Sequence, residues 1–313
     1  MSMVCAWLTA PSATGVTETC TCQGTSRNIS EASGRRSRLG NIFQNRAATV
    51  RKRLPILLVL ACAGLVHGET AQDRGKRIVN ECLEALGGNR YLAMQTREEG
   101  GRAYSFYREQ LTGLSIAKIY TRYYSVKDTA HELAVREREN FGKKEDFGVL
   151  FLENEALDVT FRGARPLTTE RFDRYKETTI RDIFYILRVR LQEKGLIFES
   201  RGAEVLQNAP VEIVDITDAD NRTTTVYFHQ ITKLPVRQVF YRRNAVTKEK
   251  DEEVTLYSKY RDVGGVQWPY AIERERNQEK IFEIFSEAVK INDSKVQSGL
   301  FELPSGIKRL KPE

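Results

Sequence analysis

The sequence predicts one mainly β domain of the α+β class, a largely antiparallel sheet with one helix at its start and one in mid-chain. Three observations predict it. From about residue 95 to residue 292, short runs rich in β-branched and aromatic residues alternate with polar turns. Two stretches, 73–87 and 169–194, switch to helical spacing. No strand–helix alternation of the kind that builds a parallel sheet is present.

The domain is expected to begin near Glu69. The first 68 residues carry eight bases (Arg27, Arg35, Arg36, Arg38, Arg46, Arg51, Lys52, Arg53) against two acids, Glu18 and Glu31. The remaining 245 residues carry 41 bases against 40 acids, so almost all of the net charge of +7 belongs to the leader. A nucleic-acid partner needs a local excess of Lys and Arg on the folded part, and the near-neutral domain gives no sign of one.

Arg51-Lys52-Arg53 precedes an apolar run, 54–66, and Val66-His67-Gly68 precedes polar Glu69-Thr70. A basic n-region, a short h-region and compact residues before a polar start are the layout of a secretory signal peptide. The run is shorter than the roughly 20 residues of a membrane-spanning helix. The expected organisation is therefore a misassigned or disordered extension at 1–49, a signal peptide at 50–68 that starts at Val50, and a single domain at 69–313. It implies export to the periplasm or the outer membrane, with at most peripheral membrane contact after cleavage. Val59-Leu60-Ala61-Cys62 loosely resembles a lipobox and would put a diacyl group on Cys62. Leu60 stands where a small residue is preferred, and apolar 63–66 follows where a polar tether is usual, so the sequence favours cleavage without lipidation.

Of five cysteines only Cys82 lies beyond the leader, so no internal disulfide is expected. In helix 73–87, Asp73 is placed to cap the start. Ile78, Val79, Cys82, Leu83 and Leu86 share a face, and Gly87-Gly88 stops the helix. Cys82 belongs to that stripe and reads as a small buried hydrophobe.

Strands are expected at 102–107, 115–124 (with Gly113 between them), 132–136, 148–152 and 156–161. After the mid-chain helix come 196–199, 211–216, 223–229, 236–242, 253–257, 266–273, 280–285 and 287–291. Residues 218–221 and 232–235 read as turns, and the clusters 143–146 and 248–253 as solvated loops.

The mid-chain helix 169–194 has Thr168 to cap it and Gly195 to end it. Phe172, Tyr175, Ile180, Ile183, Phe184, Leu187 and Leu191 form its apolar face. The other face mixes Arg171, Arg174, Lys176, Arg181, Arg188 and Arg190 with Glu170, Asp173, Glu177 and Asp182. It reads either as a surface for anionic headgroups or as a solvated face with internal ion pairs, and the interleaved acids favour the second.

Catalytic signatures are missing. No nucleophile elbow, P-loop, dinucleotide fingerprint or HExxH run occurs. His131 and His229 lack partners at ligand spacing and read as surface or strand histidines. Acid pairs such as Glu273 and Glu275 do not reveal convergence by themselves. The sequence points to no catalytic residue, no metal and no cofactor.

Three pieces resemble a known family. Val226-Tyr227-Phe228 runs into Thr232-Lys233-Leu234-Pro235, a strand followed by a "T-x-L-P" turn. Residues 260–269 fit "Y-x-x-x-x-G-x-x-x-P". Val289-Lys290-Ile291-Asn292 and Leu300-Phe301-Glu302-Leu303-Pro304 fit "V-x-x-N … L-F-x-x-P". In this order they are similar to the outer-membrane lipoprotein-sorting proteins of the LolA-like superfamily (LolA and LolB), over about 80 residues. The resemblance implies an incomplete antiparallel β-barrel, a strongly curved sheet around an apolar cavity that takes lipids or lipoprotein acyl chains under a lid. Helix 169–194 is the candidate lid, with Tyr175, Ile183, Phe184 and Leu187 on its inner face. Phe228, Phe240, Trp268 and Tyr270 are candidates for the cavity or its rim. The rival expectations are an envelope structural or adaptor protein with a protein partner, and a hydrolase in whose cleft two carboxylates, or an acid and His131 or His229, converge.

Overall fold

A computed structural model describes residues 68–125, 133–145, 147–244 and 247–312. The leader, with Cys62, and His131 lie outside the described residues. From Glu69 onward the described residues fall in one compact unit.

Helix α1 (Ala71–Leu86) buries Ile78, Val79, Cys82, Leu83 and Leu86, the stripe that its spacing predicts. Its cap is Thr70 rather than Asp73. The Thr70 Oγ1 accepts from the Asp73 N–H, which starts the helix two residues before the predicted boundary. Gly87, at φ 123°, ends it in a conformation that favours glycine. A short turn, α2 (Asn89–Leu92), follows.

The first six strands are β1 (Thr96–Tyr107), β2 (Gln110–Tyr123), β3 (Val135–Phe141), β4 (Phe147–Phe151), β5 (Ala156–Thr160) and β6 (Gly163–Pro166). After the mid-chain helices come β7 (Ile197–Leu206), β8 (Ala209–Thr217), β9 (Thr223–His229), β10 (Pro235–Arg243), β11 (Lys250–Asp262), β12 (Gln267–Arg276) and β13 (Glu279–Ile291). They form one 13-stranded sheet in the order β6-β5-β4-β3-β2-β1-β13-β12-β11-β10-β9-β8-β7. Every pairing is antiparallel. The first and last strands meet in the middle, and β6 and β7 form the two edges of the sheet.

Several hairpins close more tightly than the sequence predicts. Arg108-Glu109, Gln207-Asn208 and Asn277-Gln278 each hold positive φ at both positions, the backbone of two-residue turns that match strand twist. The first turn is thus at 108–109, and Gly113 lies inside β2. Likewise 280–291 is one strand rather than two. Ser286, buried at the expected break, donates to Glu99 beside a bulge at Gly100/Gly101.

The mid-chain segment is broken rather than continuous. Helix α3 (Thr169–Arg181) is capped by Thr168 and stops at Asp182, which has extended backbone, ψ 129°. The Asp182 carboxylate accepts from the N–H groups of Phe184 and Tyr185 and starts a second turn, α4 (Ile183–Tyr185), which runs on as a π-turn, Ile186–Arg190. Its basic face is not simply solvated. Arg181 and Arg190 are buried. Arg171 donates to Asp158 on β5 (3.3 Å), Arg181 to the Tyr241 carbonyl on β10 (2.8 Å) and Arg190 to Asp218 (3.0 Å).

These bonds prove the curvature. Strands β5 and β10 are eight steps apart in the sheet, about 38 Å if it were flat. Arg171 and Arg181 are ten residues apart on a helix, about 15 Å. One helix touches both strands only because the sheet wraps around it. The result is an incomplete antiparallel barrel whose open side lies between β6 and β7, with the segment that links them folded into the concave face. The C-terminal tail covers the β6 end: the Ala164 N–H donates to the Lys308 carbonyl, and the Leu310 N–H to the Ala164 carbonyl.

Helix α1 lies directly on β7. A Cβ at Gly75 would stand 2.6 Å from the Phe198 carbonyl oxygen. On an exposed helix Gly→Ala gains about 1 kcal/mol. Here Gly75→Ala should instead cost about 1–3 kcal/mol through overpacking, read as a lower urea midpoint; a higher midpoint would contradict the close approach.

Candidate functional site

Between the concave face and the helices lies a cavity of about 110 Å³. Two apolar clusters flank it. One joins α1, Ile183, Phe184 and Leu187 to Phe228, Tyr257, Trp268 and Tyr270. The other joins Phe172, Tyr175 and Tyr185 to Ile119, Val135, Phe151 and Ile284. Tyr175 stacks on Phe151, with ring centroids 3.7 Å apart.

The lining is mixed. Ile119, Val135, Phe151, Tyr175, Phe184, Trp268, Ile272 and Ile284 supply apolar and aromatic surface. Arg97, Glu99, Thr121, Glu137, Asp182, Thr255 and Arg274 supply polar surface. Strand register explains the polar part. Arg97, Thr121 and Glu137 are cross-strand neighbours on β1, β2 and β3. Arg97 Nη2 donates to Thr121 Oγ1 (2.9 Å), which donates to Glu137 Oε2 (3.1 Å). Glu99 lies 3.7 Å from the Arg97 guanidinium, and Glu137 4.0 Å from it. The Arg97 guanidinium also covers the Trp268 ring at 4.2 Å. From the helical segment, Asp182 accepts from the Tyr257 hydroxyl at 3.2 Å.

Burial sets the protonation of this row. It raises the Glu137 carboxyl, against the pull of Arg97. It raises Glu139 well above the usual range, helped by the neighbouring charge of Glu137. It raises Asp182 too, partly offset by Arg274. Burial works against the charged form of Arg97, but Glu99 and its neighbours outweigh this and hold the guanidinium ionised. In this wall the indole Nε1 of Trp268 lacks a hydrogen-bond acceptor among the described residues, and the Arg97 Nε has only the ion pair with Glu99 at 3.7 Å.

The helical segment is pinned over the cavity by polar bonds. The Ile183 N–H donates to Gln238 (2.9 Å), the Ala134 N–H to the Tyr185 hydroxyl (2.9 Å), the Tyr91 hydroxyl to the Phe184 carbonyl (2.7 Å) and Arg188 to the Met94 carbonyl (2.8 Å).

Of the residues singled out from sequence, Trp268, Tyr175 and Phe184 meet in the cavity wall. Ile183 and Leu187 pack beside it, against α1. Phe228 and Tyr270 are buried in the same cluster, and Phe240 is buried beneath the Arg181 guanidinium; none of these three lines the cavity. His229 sits at the β9–β10 turn, where its Nδ1 accepts from the Ile231 and Thr232 N–H groups. Cys82 is fully buried, and burial pushes its thiol up. Among the described residues no group of His, Cys, Asp and Glu could hold a metal, and no helix is long and apolar enough to cross a membrane.

The polar row was not singled out from sequence, although a signal exists. In β3, Val135, Glu137, Glu139 and Phe141 share one face, so two acids fall in the apolar phase of the strand. Arg274 does the same after Trp268, Tyr270 and Ile272.

No family model matches the chain, and no curated protein matches it. Solved structures do. A DUF1329 family protein from Desulfovibrio piger is 10% identical, with 73% of this chain and 97% of that one covered at a TM-score of 0.49. A putative outer membrane lipoprotein-sorting protein domain from Vibrio parahaemolyticus is 8% identical, with 73% and 97% covered at 0.47. A LolA superfamily protein from Nitrosomonas europaea is 10% identical, with 70% and 94% covered at 0.44. The likeness is one of backbone outline, and no site residue is carried over from it.

Glu139 is 1% exposed and holds its proton in the folded chain at a pH where the unfolded chain has released it. Stability therefore falls as the pH rises above the ordinary carboxyl value of 4.5 towards the raised folded value. Glu139→Gln cannot ionise and escapes this loss. Relative to wild type it should gain stability progressively between pH 5 and pH 8, read from urea midpoints; parallel curves for the two proteins would contradict the buried acid.

Proposed function

We propose that this chain is a non-catalytic carrier of an acyl-bearing amphiphile, held between the concave face of the sheet and the helical segment 169–190. One observation carries the reading: the cavity under the helical segment is lined by polar side chains, Arg97, Thr121 and Glu137 among them, and by aromatic and aliphatic ones together, and that segment is the link between the two edges of the sheet. Amphiphilic ligands match such a mixed lining.

The cavity differs from the wholly apolar one that the family resemblance implies. At about 110 Å³ it seats a group of headgroup size and the first carbons beyond it. A full acyl chain enters when the helical segment swings out and exposes the apolar clusters beneath it. Opening costs the pinning hydrogen bonds, about 0.5–1.5 kcal/mol each, and the exposure of buried Ile183, Phe184 and Leu187, about 1.5–3 kcal/mol each; burial of the acyl chain against the same surfaces offsets the second cost. The basic and apolar run 51–66 supports an exported site of action, the periplasm or the outer membrane.

Protein purified without detergent from the native host's envelope fraction, and then denatured in organic solvent, should release an acyl-bearing lipid at close to one per chain by mass spectrometry. Recovery of lipid-free protein that also takes up no fluorescent acyl probe would contradict the reading.

A further inference from the structure

One N–H group in the cavity wall has no acceptor among the described residues, the indole Nε1 of Trp268, a residue 1% exposed. The Arg97 guanidinium covers that indole at 4.2 Å, and its Nε is turned to Glu99 at 3.7 Å. Buried donors are nearly always satisfied, so an indole N–H left over in a cavity wall calls for an oxygen brought by something else. A water could supply it, but a lipid carries a suitable oxygen at a fixed place, where its acyl chain joins its head.

The surrounding charges decide which oxygen fits. Arg97 is already matched by Glu99 at 3.7 Å and Glu137 at 4.0 Å, and Asp182 faces the same space from the lid, near Arg274. A further carboxylate would be stripped of its water in a buried site whose Arg97 guanidinium is already matched, which is costly. An uncharged carbonyl carries no such penalty and still accepts from the indole N–H. We infer that the cavity recognises the carbonyl oxygen of an ester- or amide-linked acyl group and discriminates against free fatty acid. The inference rests on the carrier reading above and names the chemical class of its ligand.

The test uses delipidated full-length protein and three twelve-carbon probes, titrated calorimetrically below their aggregation limits at pH 7.5. Monolauroylglycerol carries the carbonyl. 1-O-dodecylglycerol has the same chain and hydroxyls but an ether in place of the ester. Laurate carries the charge. The ester should bind about five- to tenfold more tightly than the ether, the value of one hydrogen bond, and at least about tenfold more tightly than laurate. Trp268→Phe keeps the ring and removes the N–H, so it should bring ester and ether level. Glu137→Gln should raise laurate affinity several-fold and leave the ester within about twofold, and it keeps the test decisive if Trp268→Phe does not fold.

Equal binding of ester and ether to the wild type overturns the carbonyl assignment and leaves the carrier reading standing. So does a Trp268→Phe variant that folds and still prefers the ester. Laurate binding as tightly as the ester overturns the discrimination. Failure of all three probes to bind overturns the carrier reading together with the inference.

Discussion

The structure is organised by one topological constraint. A meander whose first and last strands pair in the middle of the sheet must place β6 and β7 at its two edges. Those edges are consecutive in sequence, so the chain between them has to cross the open side of the curved sheet. That crossing segment is the helical stretch 169–190. It is tied at both ends to the strands it separates, and arginines along it bond to β5 and β10 and hold it in the concave face. The position of the segment and the cavity beneath it follow from this.

The segment also explains why its arginines are not a headgroup surface. A helix lying in a concave sheet has little outer face. Arg181 and Arg190 are therefore buried and spend their donors on backbone carbonyls and carboxylates of the wall. Their long stems pack while their planar heads find fixed acceptors, the use to which arginine is better suited than lysine. The break at Asp182 serves the same geometry. A straight helix would run past the cavity, whereas the capped restart turns Phe184 and Tyr185 in towards the two clusters.

Much of the fold was legible because strands announce themselves by composition and turns by punctuation. Helix α1, nearly all of the strands and the mid-chain helical segment sit where residue patterns place them. What escaped was set by partners distant in sequence. The short β6 has four residues and takes its support from the C-terminal tail. The joining of 280–291 into one strand depends on Ser286 bonding to Glu99, nearly two hundred residues away. The motifs that carry the family resemblance turn out to be joints. The Tyr260 hydroxyl donates to the Pro235 carbonyl at 2.7 Å, so two of the three pieces meet, and Asn292 accepts from the Gln95 and Thr96 N–H groups to lock the last strand to the first. Of these pieces only Trp268 reaches the cavity. The polar row is harder to read, because Arg97, Thr121 and Glu137 are ordinary strand residues until the register aligns them.

The central claim is that a ligand occupies the space between the concave face and the crossing segment. Photo-crosslinking in cells with a diazirine-bearing fatty acid that is incorporated into the host's own lipids, mapped by peptide mass spectrometry, tests it most directly. The account predicts adducts on the peptides carrying Tyr175, Phe184 and Trp268, suppressed by excess unlabelled lipid. Adducts confined to outward-facing apolar positions such as Leu111, Leu114 and Phe161, with none in the cavity wall, would contradict it.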